Sequence, residues 1–565
     1  MSVDEKETTT AIPVKEEVAE DITKVEDGTA GEPTHNVELR RELKARHISM
    51  IAIGGALGTG LIIGTGSALA RGGPGSVFIS YSFVGFIVYM VMCGLGEMAA
   101  WLPLPSGFTG YAARFCDPAL GFALGWVYWI KYIIVTPNQL TAAALVISYW
   151  VDRDEINPGA WITIFLVTII CINYFGVRFF GEFEFWLSSF KVVVVVGLIL
   201  LSFILMLGGG PKGDRKGFRY WQDPGAFNTF IDDGAAGKFY AFWATMVDAT
   251  FAYLGTELVG VTVGEAQNPR KAIPRAIKLT FFRIVFFYCI SVLLVGTLVP
   301  YDSKQLAFAT SGASSTAAAS PFVVAIKLAS IPILPDIINA CILVFVFSAA
   351  NSDLYIATRT AYGLAREGKA PAILARTDSR GVPIYALCLA SLFALLAYMN
   401  VSSSSEQVFS YFVNLVTIFG LLTWISILVA HIYFVRARRA QNVDERSLAF
   451  KAPLGIYGSY FACAFCILIS LTKSYYVFTH SPKWGNFDYK NFITAYLGIP
   501  VYLILIFGYK FWTKCKGVDP QTADLWTGKD VIDREETAFV EAMAARTEHH
   551  RQANWFYRTF VAWLF

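Results

Sequence analysis

Charge is what this chain has least of. Only 16% of its 565 residues are Asp, Glu, Lys or Arg, against about 25% in a soluble protein, which excludes an ordinary water-soluble domain. Histidine is scarce too. The six present, His35, His47, His431, His480, His549 and His550, form no metal or acid/base cluster with a carboxylate at helical spacing, so the reading is no enzyme, no metal and no cofactor. The nine cysteines offer no disulfide framework: Cys93, Cys171, Cys289, Cys341 and Cys388 fall in apolar runs as small hydrophobes. Cys463-Ala-Phe-Cys466 lies inside one run without a second pair. The first 48 residues contain no apolar core segment, so no cleavable signal peptide is expected and the first apolar run would direct insertion. Lysines and arginines are scattered among loops, and a net charge of +3 gives no nucleic-acid footprint.

What is there is apolar. The chain is 55% hydrophobic and 15% aromatic, with a mean hydropathy of +0.50. Runs of about 20 apolar residues, each long enough to cross a hydrocarbon core, recur at 49–70, 76–100, 119–149, 160–177, 184–207, 240–263, 279–299, 336–358, 383–399, 408–434, 456–477 and 491–512. The expected fold is an all-α polytopic membrane protein: a disordered cytosolic tail over 1–48, a 12-helix transporter domain over 49–512 in membrane lipid, and a cytosolic tail over 513–565. Basic clusters set the orientation. Arg40, Arg41, Lys44 and Arg46 precede the first run; groups at 270–278, 366–380 and 436–446 each follow an even-numbered run. The opposite side carries Asp152-Arg153-Asp154-Glu155, so both termini are expected in the cytosol. Lys212, Arg215, Lys216 and Arg219 are the exception. Asn400-Val401-Ser402 is a sequon in a loop too short for a glycan.

Several charges nevertheless sit inside the apolar runs: Glu97, Lys131, Lys191, Asp248 and Glu257. A charge at bilayer depth costs from about 3 to over 10 kcal/mol, so such residues face a cavity, a partner or a transported solute. Two runs are also interrupted by glycine, at Gly54-Gly55-Ala56-Leu57-Gly58-Thr59-Gly60 and at Gly255 to Gly260 around Glu257. A helix broken at mid-membrane exposes amides that suit a carboxylate and carbonyls that suit an ammonium group. An α-amino acid carries both. This reading puts Gly55, Ala56, Gly58, Thr59 and Gly60 at the substrate, with Gly58, Thr59 and Gly60 on its carboxylate. The carbonyls of Phe251, Ala252 and Leu254, with Thr256 beside them, would take the amine. The alternative is that the glycines only let helices pack closely. The five-run offset between the breaks suggests inverted repeats, runs 1–5 against 6–10, with broken helices 1 and 6. No residue-level repeat accompanies it.

From about Leu43 to Trp512 the chain resembles the fungal amino acid permeases of the amino acid–polyamine–organocation superfamily. The motifs are Arg46 to Gly55, Leu95-Gly96-Glu97-Met98-Ala99, Gly181-Glu182-Phe183-Glu184-Phe185-Trp186, Gly217 to Trp221, Gly255 to Gly260, Asn268-Pro269-Arg270-Lys271 and Ser348-Ala349-Ala350-Asn351-Ser352-Asp353. Through Lys131-Tyr132, the stretch Pro137 to Ala144 and the tail Asn554-Trp555-Phe556-Tyr557, it is most similar to the dicarboxylic amino acid permeases. The resemblance implies proton-coupled uptake of glutamate and aspartate across the plasma membrane by alternating access. It places Lys191 where sodium-coupled relatives hold an ion, as a carrier of the coupling proton or, alternatively, a residue reaching the headgroups. Glu257 reads as a proton carrier or gate sensor, or as a pin for the unwound backbone. Gln139 stands where many relatives have glutamate, which removes a charge that would repel an acidic substrate. Thr136 and Asn138 could add donors. Lys131 would attract the side-chain carboxylate, either by contact or along the exit path, since it lies about 12 Å from Gln139 along the helix. Asp248 is a departure, because it would repel an acidic substrate unless paired. Glu97 reads as structural. Lys6, Lys15 and Lys24 are candidate sites for a ubiquitin ligase, by resemblance. The rival readings are a broad-range or neutral permease and a nutrient sensor with residual transport.

Overall fold

The computed structural model describes residues 58–104, 106–175, 177–261, 277, 279–306, 320–402, 405–478, 487–530, 533, 534, 537 and 541, with the side chains of 177–179, 259 and 261 excepted. All belong to the unit Leu39–Phe565; the unit Met1–Glu38 lies outside the described residues. Outside them too fall Gly54, Gly55 and Ala56, the tail lysines and the 270–278 basic cluster.

The chain folds into helices α1 (Gly60–Trp101), α2 (Gly107–Phe115), α3 (Pro118–Ile147), α4 (Pro158–Tyr174), α5 (Val177–Met206), α6 (Gly234–Tyr253), α7 (Leu258–Val261), α8 (Leu279–Leu298), α9 (Pro321–Leu328), α10 (Leu334–Arg366), α11 (Ile384–Val401), α12 (Ser405–Ala440), α13 (Gly455–Phe478), α14 (Tyr489–Tyr496) and α15 (Gly498–Thr513). Among the described residues eight helices are long and apolar enough to cross a membrane, and α14 with α15, bent by 41°, makes nine. Every one of the twelve expected runs nevertheless contains helix. The first two follow one another in α1 on either side of a break at Gly73, the fourth is the 17-residue α4, and the sixth is divided between α6 and α7. The short helices α2 and α9 were not expected, since nine and eight residues carry too little periodicity to read.

Local chemistry sets the boundaries. Asp117 caps α3 by accepting from the Ala119 amide, and Asn157 caps α4 by accepting from Gly159, each with proline in the first turn. α1 bends where Gly73 takes φ 78°, followed by Pro74. A side chain at Gly73 would sit 2.9 Å from the Ala226 carbonyl oxygen. The loop after α5 is fastened to this bend: Gly75 donates to Ala226 at 2.8 Å and Asn228 donates to Gly72 at 3.0 Å. Apolar side chains face outward, with Val193 at 70% and Phe511 at 87% exposure, while the polar groups lie inside, the inverse of a soluble protein. Asn400 of the sequon is buried and donates to Thr141 Oγ1.

The end of the bundle opposite the Gly73 bend is held by two devices. Glu97 of α1 accepts from the Ala452 amide at 2.8 Å, and lies 3.2 Å from Arg438 Nη2 and 3.4 Å from His431 Nε2. His431 Nδ1 in turn meets Ser459 Oγ at 2.7 Å. Beyond α15 the chain turns back as a strap. Val518 donates to Cys116, Gln441 donates to the Ala523 carbonyl, Trp101 Nε1 donates to Leu525, and Arg114 grips Asp524 and Thr527. Glu97→Gln removes the countercharge of a buried guanidinium, a change of about 3–5 kcal/mol. We expect a lower unfolding midpoint for the detergent-solubilised protein, with much of the loss recovered in Glu97→Gln/Arg438→Met. Equal midpoints for the wild type and Glu97→Gln would show the pair to be dispensable.

Candidate functional site

The site is built on the interruption between α6 and α7. Leu254 is extended (φ −60°, ψ 143°) and Gly255 takes φ 94°, a region costly for any residue with a side chain. The unwound backbone is satisfied locally: Leu254 donates to the Phe251 carbonyl at 3.2 Å, and both the amide and the hydroxyl of Thr256 donate to Tyr253. Glu257 does the rest. Its Oε2 accepts from the Gly255 amide at 3.2 Å and from Trp424 Nε1 at 3.3 Å, and its Oε1 is bound by Lys131 Nζ. The α12 backbone approaches closely here, because a side chain at Gly420 would lie 2.2 Å from Leu254 Cδ2.

The first turn of α1 faces this break. A Cβ at Gly60 would stand 2.4 Å from Ala252 Cα and 3.1 Å from the Phe251 oxygen. Thr59 and Gly60 are buried, so the amide end of one helix meets the carbonyl end of another across a single glycine. The Phe251 oxygen, which accepts from Leu254, keeps a second lone pair. A tyrosine frame holds the junction. Tyr253 donates to the Tyr81 carbonyl at 2.9 Å and stacks on Tyr288 at 4.4 Å, while the Tyr81 hydroxyl reaches Thr65 at 3.1 Å and Gly60 O at 3.4 Å.

Behind the junction lies a buried polar layer from α3, α5 and α10. Lys131 sits against the rings of Tyr128 and Tyr132. Gln139 Nε2 donates to Asp353 Oδ2 at 3.0 Å. Thr136 donates to the Tyr132 carbonyl of its own helix, and neither amide atom of buried Asn138 has a hydrogen-bond partner among the described residues. Lys191 Nζ lies 3.6 Å from Glu184 Oε1, which also accepts from Ser188 and Ser348. The lysine expected to meet substrate is thus engaged by the acid of the broken helix. Glu184 and Asp353 were not singled out from the sequence, although both stand inside quoted motifs. Glu184 had a signal, lying seven residues or two turns before Lys191. Asp248, the unexpected acid, lies 3.4 Å from Arg71.

This arrangement can be set beside known proteins. Residues 47–519 match the family described as amino acid permease. The dicarboxylic amino acid permease of Saccharomyces cerevisiae is 55% identical over 536 residues, covering 94% of this chain and 87% of that protein. An uncharacterized amino-acid permease of Schizosaccharomyces pombe is 47% identical over 86% of this chain and 92% of its own. The proline-specific permease of Emericella nidulans is 38% identical over 89% and 91%. Among solved structures, MhsT in complex with L-phenylalanine superposes with a TM-score of 0.54 at 16% identity, covering 77% of this chain and all of that one. That likeness concerns the fold alone. The match across 47–519, together with relatives aligned over most of their length, settles the class: the chain belongs to the amino acid permease family, and is a multi-pass membrane transporter of amino acids and not an enzyme.

Proposed function

We propose that the chain is a proton-coupled importer of amino acids in the plasma membrane, with L-glutamate and L-aspartate as its main substrates. Both termini lie in the cytosol, and Lys6, Lys15 and Lys24 of the N-terminal tail are the sites on which a ubiquitin ligase would act. The observation that carries this reading is the junction at Gly60, where a helix N-terminus and unwound carbonyls converge on one small volume. The α-carboxylate goes to the amides around Gly58, Thr59 and Gly60, continuing toward Gly55 and Ala56. The α-ammonium goes to the carbonyls of Phe251, Ala252 and Leu254, with Thr256 fixing their direction.

The preference for acidic side chains is supported by the 55% identity to a dicarboxylic amino acid permease and by Gln139 standing where a carboxylate would repel them. Arg71 neutralises Asp248, which removes the objection that this acid raised. Lys131 acts through Glu257: releasing that pair frees a cation beside the break and unpins Gly255 at the same time. Lys191 and Glu257 carry the response to protons, and Thr136 and Asn138 complete the polar wall.

Three outcomes test this. Uptake of labelled substrate should fall as external pH rises or when a protonophore is added, without any requirement for sodium; Lys191→Ala should lose concentrative uptake and keep exchange. Strict sodium dependence would sink the proton-coupled reading. Gly60→Ala must push the Ala252 backbone aside, so transport should be lost or its KM raised at least tenfold with normal surface delivery, and a substrate lacking the α-amine should bind about thirty-fold more weakly, equivalent to about 2 kcal/mol. Unaltered kinetics would move the site away from α1. In a competition panel, glutamate and aspartate should compete strongly, asparagine and glutamine moderately, and lysine and arginine hardly at all. Gln139→Glu should depress the acidic substrates selectively, because two carboxylates would then share one desolvated site.

A further inference from the structure

The charged groups behind the junction alternate in sign. Glu257 is bound by Lys131, and Lys191 stands against Glu184. Between the two pairs is Asp353, on which the charges of both Lys131 and Lys191 act. Among the described residues it accepts a hydrogen bond from Gln139 alone, and no cation lies within ion-pair distance of it. Lys131, Glu257, Lys191 and Glu184 are each at or below 1% exposure, whereas Asp353 is half-buried. From α3 the groups facing Asp353 are Lys131, Gln139, Tyr128 and Tyr132; from α5 they are Lys191 and Glu184.

The layer holds three carboxylates and two ammonium groups, and the buried Arg283 guanidinium adds a cation that acts on Glu257, so the cations gather on Glu257 and Glu184 and none is in contact with Asp353 among the described residues. A carboxylate partly withdrawn from water is held ionised by a cation in contact with it. The four outer members are already paired with each other, which leaves Asp353 as the carboxylate free to take and give up a proton without breaking an ion pair. Gln139 can adapt to either state, since its amide offers both a donor and an acceptor to the carboxyl.

We propose that Asp353 is the group that holds the coupling proton, taking it from the external side as its carboxylic acid and releasing it to the cytosol while Lys191 keeps its carboxylate partner. This inference rests on the proton-coupled reading above and moves the proton itself from Lys191 and Glu257 to Asp353, leaving those two as its countercharge and its link to the junction. The proton load is linked to the substrate junction through Lys131. With Asp353 ionised, Lys131 is attracted toward it and away from Glu257; with Asp353 protonated, Lys131 is left to Glu257, which holds the Gly255 turn in place. Lys191 then serves as a fixed countercharge that sets the proton affinity of Asp353.

The test uses the full-length carrier reconstituted in liposomes, with asparagine as a neutral substrate and a pH dye inside. Asp353→Asn should keep counterflow exchange and lose substrate-evoked proton entry, with uptake varying less than twofold across external pH 4.5–7.5. Asp353→Glu should restore both. Gln139→Glu places a second carboxylate beside the first, since Gln139 Nε2 lies 3.0 Å from Asp353 Oδ2, and the two must then share a proton, so its uptake should persist to higher pH than the wild type, which tests the site even if Asp353→Asn is not delivered to the membrane. A wild-type carrier that admits no proton with its substrate defeats the coupled reading as a whole. A coupled wild type with a fully coupled Asp353→Asn overturns this inference alone. So would a raised KM with intact proton entry, which would assign Asp353 to the substrate ammonium, or a sodium requirement abolished by Asp353→Asn, which would assign it to a metal cation.

Discussion

A backbone that leaves its helix at membrane depth has no water to satisfy it, and the rest of this protein is arranged around that constraint. Four residues between α6 and α7 are out of register, and one carboxylate, Glu257, accounts for much of their repair by taking the Gly255 amide, the Trp424 indole and the Lys131 ammonium. The last two of those partners each bring a helix. Trp424 fixes α12 at the break, where Gly420 makes room for Leu254, and Lys131 fixes α3. The interruption that creates a binding surface is therefore also the point at which the scaffold is anchored.

The same economy explains the charges. None of the buried ionisable groups in the polar layer stands isolated from the others. Their sequence of signs runs from the break, through α3 and α10, to α5, so a change at one end alters the balance at the other without any helix having to unfold. A buried array of this sort contributes little to stability on its own account; its value lies in having two arrangements of similar energy, which a carrier needs and a rigid scaffold does not.

Much of this was legible in the sequence. The helical runs, the glycine break at Gly255 and the buried position of Glu257 follow from hydropathy and from the cost of charge in lipid, while most of the first glycine run lies outside the described residues. The motifs then indicated the family directly. What could not be read was who meets whom. Lys131 is 126 residues from Glu257, Gln139 is 214 from Asp353 and Arg71 is 177 from Asp248. No local period encodes such pairs. Lys131 was accordingly assigned to the path of the substrate, and its hold on the broken helix emerged only with the fold. Asp353 was passed over because it ends a small-residue motif and looks unremarkable there.

The strap beyond α15 has a mechanical meaning. By fastening itself to Trp101, Arg114, Cys116 and Gln441, it ties the last turn of α1, the α2 corner and the foot of α12 into one block. Those three elements cannot slide past one another while it is in place. Whatever rocking opens the pathway at that end must carry the block as a unit and hinge elsewhere, and a fluorescent fusion joined ahead of Thr527 would report on a carrier whose chassis had been cut.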